Sequence, residues 1–300
     1  MESLPSLMPR SRHQASPGRI DRVGWSAGAC IETHGVRLGV RTNAPEIMVE
    51  LQTCLPPGWR PSPSPLVDEL FSVWVDPTGD ARRPSRVYVG PSRRARTRDL
   101  GRALAVLESE LRQSLAARAK RRTFVHAGVV GWRGRAIVVP GRSRSGKTTL
   151  VAELIRAGAE YLSDEFAVLD GRGRVHPFAK TLSVRGAGGC DLHVRRPSAE
   201  ELGGRSATEP LPVGLVVLAT HSPGAEWQPE TLTPGRAVIE MLAHTVPARL
   251  RPEESLSALE RAVARAAVLM GERGEASELA PCLLRLVEAG GRSRGGRDEA

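Results

Sequence analysis

The sequence of 300 residues is poor in aromatic side chains and in lysine. Phe, Trp and Tyr together make up 4% of the chain, and of its 43 basic residues only Lys120, Lys147 and Lys180 are lysines. Arginine serves almost everywhere else, so a lysine marks a place where a compact ammonium group suits the chemistry better than a forked guanidinium. This contrast draws attention to Lys147 and Lys180.

The cysteine spacing argues against a metal site, and the lack of long hydrophobic runs argues against a membrane span or a signal peptide. The four cysteines, at positions 30, 54, 190 and 282, form no Cys-x-x-Cys pair, so we expect buried thiols in a reducing compartment rather than a metal site. No apolar run approaches the roughly 18 residues of a membrane span, and residues 1–19 lack the apolar stretch of a signal peptide. We therefore predict a cytoplasmic protein with no membrane partner and with disordered tails over residues 1–19 and 291–300.

The net charge of +10 is concentrated in residues 81–122, which hold 13 basic and three acidic side chains. Such a block can face nucleic acid, an acidic partner or an anionic surface, or it can be a solvated helix face. Aromatic residues that would stack on bases are nearly absent from this segment, so its composition does not favour nucleic acid.

Residues 136–150 read AIVVPGRSRSGKTTL, an apolar strand followed by the phosphate-binding pattern G-x-x-x-x-G-K-[ST]. In this pattern the glycines let backbone N–H groups turn toward a triphosphate, the lysine reaches the outer phosphates, and the hydroxyl can ligate Mg²⁺. Apolar residues at helical spacing follow, which places a helix N-terminus at the phosphates. The sequence therefore predicts a nucleotide-binding loop made of Gly141, Arg142, Ser143, Arg144, Ser145, Gly146, Lys147, Thr148 and Thr149.

Two acidic residues, Asp164 and Glu165, end the next strand pattern, 17 residues after Lys147. One helix and one strand bring this end back beside the loop, where the carboxylates can meet Mg²⁺ or an attacking hydroxyl. The loop alone does not distinguish an ATPase, a GTPase and a kinase. However, the later strand LVVLA ends in Thr220 and His221 rather than in acids, unlike a motor ATPase, and no Asn-Lys-x-Asp guanine signature occurs.

These patterns predict an α/β fold with two domains. We expect a small α+β domain over residues 20–120 and a phosphate-loop domain over residues 121–290. Three helical patterns, near 234–246, 253–270 and 276–289, follow the strands of the second domain.

Residues 124–185 resemble the catalytic domain of HPr serine kinase/phosphorylase and its looser bacterial relatives. The matching features are His-Ala-Gly at 126–128, the loop, the acidic pair and the segment PFAKTLSVR, in the order of the relatives. The resemblance continues more weakly through LVVLATHSPGAEWQPETLTPGRAVIEML and covers about half of the chain. It implies the fold shared with ATP-dependent phosphoenolpyruvate carboxykinase, use of ATP and Mg²⁺, a protein or peptide acceptor, and a homo-oligomer.

The resemblance also implies a role for each matching residue. Asp164 takes the place of the general base on the acceptor hydroxyl, and Glu165, with Thr148, the place of a metal ligand. Lys147, Lys180 and Arg185 match basic positions that neutralise the transferred phosphoryl group. The histidine before the loop strand corresponds to His126, which could touch phosphate, orient Asp164 or simply be a packed side chain.

Two departures from the family leave the acceptor open. The family signature carries a Glu where this chain has Ser183, and Glu165 replaces the second Asp of the acidic pair. HPr itself is therefore not the expected acceptor, and we expect a Mg-ATP-dependent kinase that acts on a Ser or Thr hydroxyl of another protein or peptide. The alternatives are a nucleotide-binding regulatory protein without catalysis and a small-molecule phosphotransferase.

Overall fold

The computed structural model describes residues 6–12, 19–76, 83–142, 145–180, 182, 184–185, 194–195 and 197–295. The chain has a mixed α/β fold and forms two compact units, residues 1–120 and 121–300. Among the described residues, no helix combines the length and apolar character needed to cross a membrane.

The N-terminal unit contains one six-stranded sheet in the order β4-β2-β3-β6-β7-β8. Helix α2 packs on β6, β7 and β8, and its buried residues Ala103, Leu107, Leu111 and Leu115 recur at every fourth position, as the sequence predicts for an amphipathic helix. The elements of this unit are β1 (Arg10–Ser11), β2 (Ala27–Thr33), β3 (Val36–Thr42), α1 (Met48–Thr53), β4 (Arg60–Pro61), β5 (Leu66–Val67), β6 (Glu69–Trp74), β7 (Ser85–Val89), β8 (Ser92–Thr97) and α2 (Leu100–Arg118).

The predicted disordered tails do not hold over their whole length. Strand β1 lies within residues 1–19 and pairs in parallel with β5, because the backbone groups of Arg10 and Arg12 bond to Pro65 and Val67. At the other end, the last helix continues through Gly295. Residues 1–5, 13–18 and 296–300 lie outside the described residues.

The C-terminal unit is built on an eight-stranded sheet. Its elements are β9 (Thr123–Trp132), β10 (Arg135–Pro140), α3 (Lys147–Arg156), β11 (Glu160–Ser163), β12 (Phe166–Leu169), β13 (Arg174–His176), β14 (Val184–Arg185), β15 (Val194–Arg195), β16 (Leu211–His221), β17 (Glu230–Thr231), α4 (Pro234–Leu242), α5 (Pro252–Val263), β18 (Ala267–Arg273) and α6 (Ala276–Gly295).

Five of the strand pairs in this unit form a closed cycle. The pairs run β12–β9, β9–β10, β10–β16, β16–β13 and β13–β12, and β18 lies in parallel along β16. Only the β10–β16 and β16–β18 pairs in this series are parallel. Because parallel neighbours point the same way, β10, β16 and β18 deliver the residues that follow their carboxyl ends to the same edge of the sheet.

The sheet is buried on both faces, as its apolar strands require. Ile137 and Val139 of β10 pack with α3 and α6, whereas Ala136 and Val138 pack with α4 and α5. The alternation along β10 therefore fixes the strand between two apolar clusters, and with it the position of the loop that follows.

The predicted helix over 253–270 is wrong in its second half. Helix α5 ends at Val263, and residues Ala267–Arg273 form β18 instead. The segment AVLMGER contains a short apolar run, which does not distinguish a helix from a buried strand by its period alone. Its pairing with seven consecutive residues of β16, from Leu215 to His221, decides the outcome.

Candidate active site

The loop after β10 wraps the amino end of α3, in the strand–loop–helix order that the sequence predicts. Gly146, the residue before α3, has φ of +81°, and a Cβ atom there would lie 2.5 Å from Nη2 of Arg273. The positive φ favours glycine here, and any side chain would also displace the end of Arg273. Nζ of Lys147 donates hydrogen bonds to the carbonyl oxygens of Gly141 (2.8 Å) and Arg142 (2.5 Å), so the lysine spans the loop.

The remaining loop residues differ in exposure. Ser145 and Thr148 are half-buried, whereas Thr149 is exposed. Ser143 and Arg144 lie outside the described residues. Burial lowers the pKa of Lys147, and the nearby Asp164 and Glu165 carboxylates oppose this shift.

Asp164 lies directly after β11 and is buried, with 6% of its surface exposed. The Thr148 hydroxyl, in the first turn of α3, donates to Oδ2 of Asp164 at 3.4 Å, and the Tyr161 hydroxyl donates to Oδ1 at 3.1 Å. Burial, together with the charge of Asp164, raises the pKa of Tyr161, so the phenol stays protonated and keeps its donor role. The structure thus holds this carboxylate between the phosphate-loop helix and a buried tyrosine.

Glu165 and Lys180 form an ion pair with 3.1 Å between Oε2 and Nζ, and both side chains are about one-fifth exposed. The turn that carries Glu165 is fixed by the Ser163 hydroxyl, which accepts hydrogen bonds from the backbone N–H groups of Glu165 and Phe166. Lys180 therefore neutralises the second acidic residue of the pair.

The backbone of His126 links the loop to the segment after α4. Its carbonyl oxygen accepts from Gly141 N (3.1 Å) and its N–H donates to His244 O (2.8 Å). The imidazole packs against the Phe166 ring at 4.7 Å between centroids. Burial lowers the pKa of His126, Lys147 and His244 lower it further, and Glu165 opposes them.

The structure therefore brings five predicted residues into one cluster: Lys147, Thr148, Asp164, Glu165 and Lys180. His126 borders this cluster through Glu165 and Lys147. For Arg185 the structure describes the backbone only, in the β14–β15 pair, so its predicted role stays a prediction. Ser183 lies outside the described residues.

Sequence reasoning missed Arg273, at the end of β18. This arginine is 3% exposed and donates from Nη2 to Gly146 O (3.2 Å) and from Nη1 to Gly274 O (3.0 Å). Burial lowers its pKa, which Glu275 opposes. In the described part of the chain no carboxylate lies within ion-pair distance of it. A buried guanidinium beside a helix N-terminus and a lysine concentrates positive charge at the loop.

A cavity of about 530 Å³ opens beside the loop. The carboxyl ends of β16 and β18 supply apolar lining through Leu218, Ala219 and Met270, and the α4 region supplies Glu240 and His244. The cavity falls within the 300–1,000 Å³ range of small-molecule sites. Its position follows from the parallel pairing of β10, β16 and β18, which the sequence pattern alone did not predict.

Among the residues that the structure describes, no three His, Cys, Asp or Glu side chains converge as a metal cage. The Thr148 hydroxyl and the Asp164 carboxylate, 3.4 Å apart, supply hard oxygen donors of the kind that Mg²⁺ accepts. Mg²⁺ is commonly held by one or two carboxylates together with substrate phosphates rather than by a complete protein cage. The donor set therefore fits this ion.

No known protein-family model matches the chain, and no curated protein matches it in sequence. Among solved structures, the HPr(Ser) kinase/phosphatase from Coxiella burnetii matches at a TM-score of 0.32 and 12% identity, over 55% of this chain and 94% of that one. At these values the match records a structural resemblance only.

The lowered pKa of His126 predicts a pH dependence of stability. Because the unfolded chain binds the proton near pH 6.5 and the folded chain does so only at lower pH, the free energy of unfolding falls as pH drops below about 6.5. His126→Gln should flatten this slope in urea titrations at a series of pH values. Equal slopes for the variant and the wild-type protein would contradict the burial of a neutral imidazole.

Proposed function

We propose that the protein is a Mg²⁺-dependent kinase that transfers the γ-phosphoryl group of ATP to a Ser or Thr hydroxyl of a protein or peptide. The observation that carries the proposal is the contact between Thr148 Oγ1 and Asp164 Oδ2 at 3.4 Å. It places a buried carboxylate beside the first turn of the helix that follows a Gly-Lys-Thr loop, which is the arrangement that phosphoryl transfer uses.

Positive charge on the loop supports triphosphate binding. The α3 N-terminus and the buried guanidinium of Arg273 meet at Gly146, and the Lys147 ammonium lies on the carbonyl oxygens of Gly141 and Arg142 in the same loop. Since no carboxylate of the described residues lies within ion-pair distance of Arg273, a bound polyphosphate would balance its charge. From its position on the loop carbonyls, the Lys147 ammonium is close to where it would contact a bound phosphate.

Mg²⁺, when bound through Thr148 and Glu165, would neutralise charge on the transferred group. The proton of the acceptor hydroxyl is transferred to a side chain of this protein. Asp164 accepts the proton of the acceptor hydroxyl as its oxygen bonds to the γ-phosphorus and the bond from phosphorus to the bridging oxygen of ADP breaks. Tyr161 holds Asp164 in place through its 3.1 Å hydrogen bond.

Lys180 and His126 serve the same transfer from the acidic side. Lys180, paired with Glu165 at 3.1 Å, places an ammonium group where negative charge develops on the phosphoryl oxygens. His126, neutral at pH 7 because burial lowers its pKa, can donate a hydrogen bond without adding charge. The adjacent cavity is large enough for the nucleoside of ATP.

A second candidate, a nucleotide-binding regulatory protein, is favoured by one observation. The Glu165 carboxylate is engaged by Lys180, which competes with a role as metal ligand. In that case nucleotide binding persists and no phosphoryl group is transferred. The two predictions below separate these candidates.

Lys147→Ala should abolish most ATP binding. Removing the ammonium group deletes a charge-assisted contact to phosphate, so we expect the dissociation constant for Mg-ATP to rise by about tenfold or more. Isothermal titration calorimetry measures this change. Lys120→Ala, which removes an exposed lysine of the N-terminal unit, is the matched control and should bind as the wild-type protein does. Equal affinities for both variants would refute a nucleotide site at the loop.

Asp164→Asn should bind Mg-ATP but lose transfer. Loss of a general base costs roughly a hundredfold or more in rate, and Tyr161→Phe, which only frees one carboxylate oxygen, should cost less. The measurement is phosphate incorporation from labelled ATP into proteins of a cell extract, with mass spectrometry of the modified residue. Binding without incorporation in the wild-type protein would favour the regulatory candidate, and full incorporation by Asp164→Asn would rule out the assigned base.

A further inference from the structure

The N-terminal unit carries a basic face that the sequence block alone does not reveal. Cross-strand pairing aligns Trp74 of β6 with Arg86 of β7 and Arg96 of β8 in one row, and Tyr88 with Arg93 in the next. Directly paired residues of a sheet share a face. The alternating residues of β7, Val87 and Val89, are buried, and α2 packs on this strand. We call the set Trp74, Arg86, Tyr88, Arg93 and Arg96 the basic face.

Within the part of the chain that the structure describes, the arginines of the basic face form no ion pairs with carboxylates. Arg93 and Arg96 are exposed, and within the described residues neither has a carboxylate within ion-pair distance. Arg86 lies over the Trp74 ring at 4.6 Å rather than beside an acid. Arg86 and Arg96 are also directly paired, and like charges in that position are destabilising. An anionic partner would relieve this repulsion.

Strand β8 lies at the end of the sheet order, so it is an edge strand in the part of the chain that the structure describes. One edge of its backbone can therefore pair with a further strand. Basic side chains on an edge repel a basic strand and disfavour a neutral one, which cannot compensate their charges, whereas an acidic strand can. Arg94 points toward α2, where it lies 3.4 Å from Glu110, which leaves Arg93 and Arg96 for a partner on the basic face.

We propose that β8 and the basic face bind an extended acidic peptide segment by strand addition. The backbone of the segment pairs with the edge of β8, and its carboxylates, spaced on one side of the strand, meet Arg93 and Arg96. This binding stands independently of phosphoryl transfer. That the segment belongs to the phosphoryl acceptor rests on the function proposed above.

The test uses the full chain without ATP and fluorescence anisotropy with labelled peptides of about ten residues, the upper end of the usual strand length. One peptide alternates Glu with Val or Thr, a second has Gln in place of Glu, and a third keeps Glu but is N-methylated on the backbone amides that would pair. We expect the first to bind, more weakly as salt is raised, and the other two to bind at least about tenfold more weakly.

The double variant Arg93→Glu/Arg96→Glu should weaken binding of the Glu peptide by at least about tenfold. The matched control is Arg172→Glu/Arg249→Glu, which makes the same change in net charge at two exposed arginines of the C-terminal unit and should bind as the wild-type protein does. Thermal unfolding of both variants checks that the fold is kept.

Three results would overturn the proposal: equal affinity for the Glu and Gln peptides, equal affinity for the N-methylated peptide, or no difference between the two double variants. Binding of single-stranded oligonucleotides that depends on Arg93 and Arg96, with no binding of the Glu peptide, would also overturn it and make the face a nucleic-acid site. The binding assay contains no nucleotide. Each of these outcomes can therefore be interpreted even if the protein transfers no phosphoryl group.

Discussion

The buried carboxylate of Asp164 is the group on which the proposed site depends. A carboxylate with 6% of its surface exposed is costly unless hydrogen bonds satisfy it. Here the Thr148 and Tyr161 hydroxyls donate to its two oxygens, so the carboxylate ties the first turn of α3 to the end of β11. The same interactions that stabilise the carboxylate also place it next to the loop. The proposed chemistry thus depends on these two hydrogen bonds.

The basic side chains around the loop carry more positive charge than is needed to balance the Asp164 carboxylate. Lys147, Lys180 and Arg273 surround the loop and the acidic turn, and burial lowers the pKa of Lys147 and of Arg273. Such shifts mean that the folded chain holds these cations at a free-energy cost, which a bound anion would reduce. The electrostatics therefore favour a polyphosphate ligand at the loop.

Much of the site could be predicted from the sequence because its parts are close together in the chain. The motif fixes Lys147 and Thr148, and the helix and strand that follow return Asp164 to them, so local periodicity was sufficient. Arg273 could not be found in this way. It lies on a strand whose short apolar run also fits a helix, and one arginine among forty gives no signal. Only the parallel pairing of β18 with β16 brings it to Gly146.

The same limit on prediction from the sequence applies to the N-terminal unit. Composition placed the basic residues in one block, but Trp74 lies outside that block, and only strand register puts it in a row with Arg86 and Arg96. The register of these consecutive strands depends on turn geometry and on which face is buried, which residue counts do not contain. The mixed α/β class and many local elements were therefore accessible from the sequence, whereas strand register and the ambiguous segment of β18 were not.

The most direct test of the central claim is a crystal structure of the full chain with Mg²⁺ and a non-hydrolysable ATP analogue. The account predicts the β- and γ-phosphates on the backbone N–H groups at the start of α3, with Lys147 Nζ on phosphate oxygens and Asp164 facing the γ-phosphate. A nucleotide bound elsewhere, with Lys147 still on the carbonyls of Gly141 and Arg142, would contradict it.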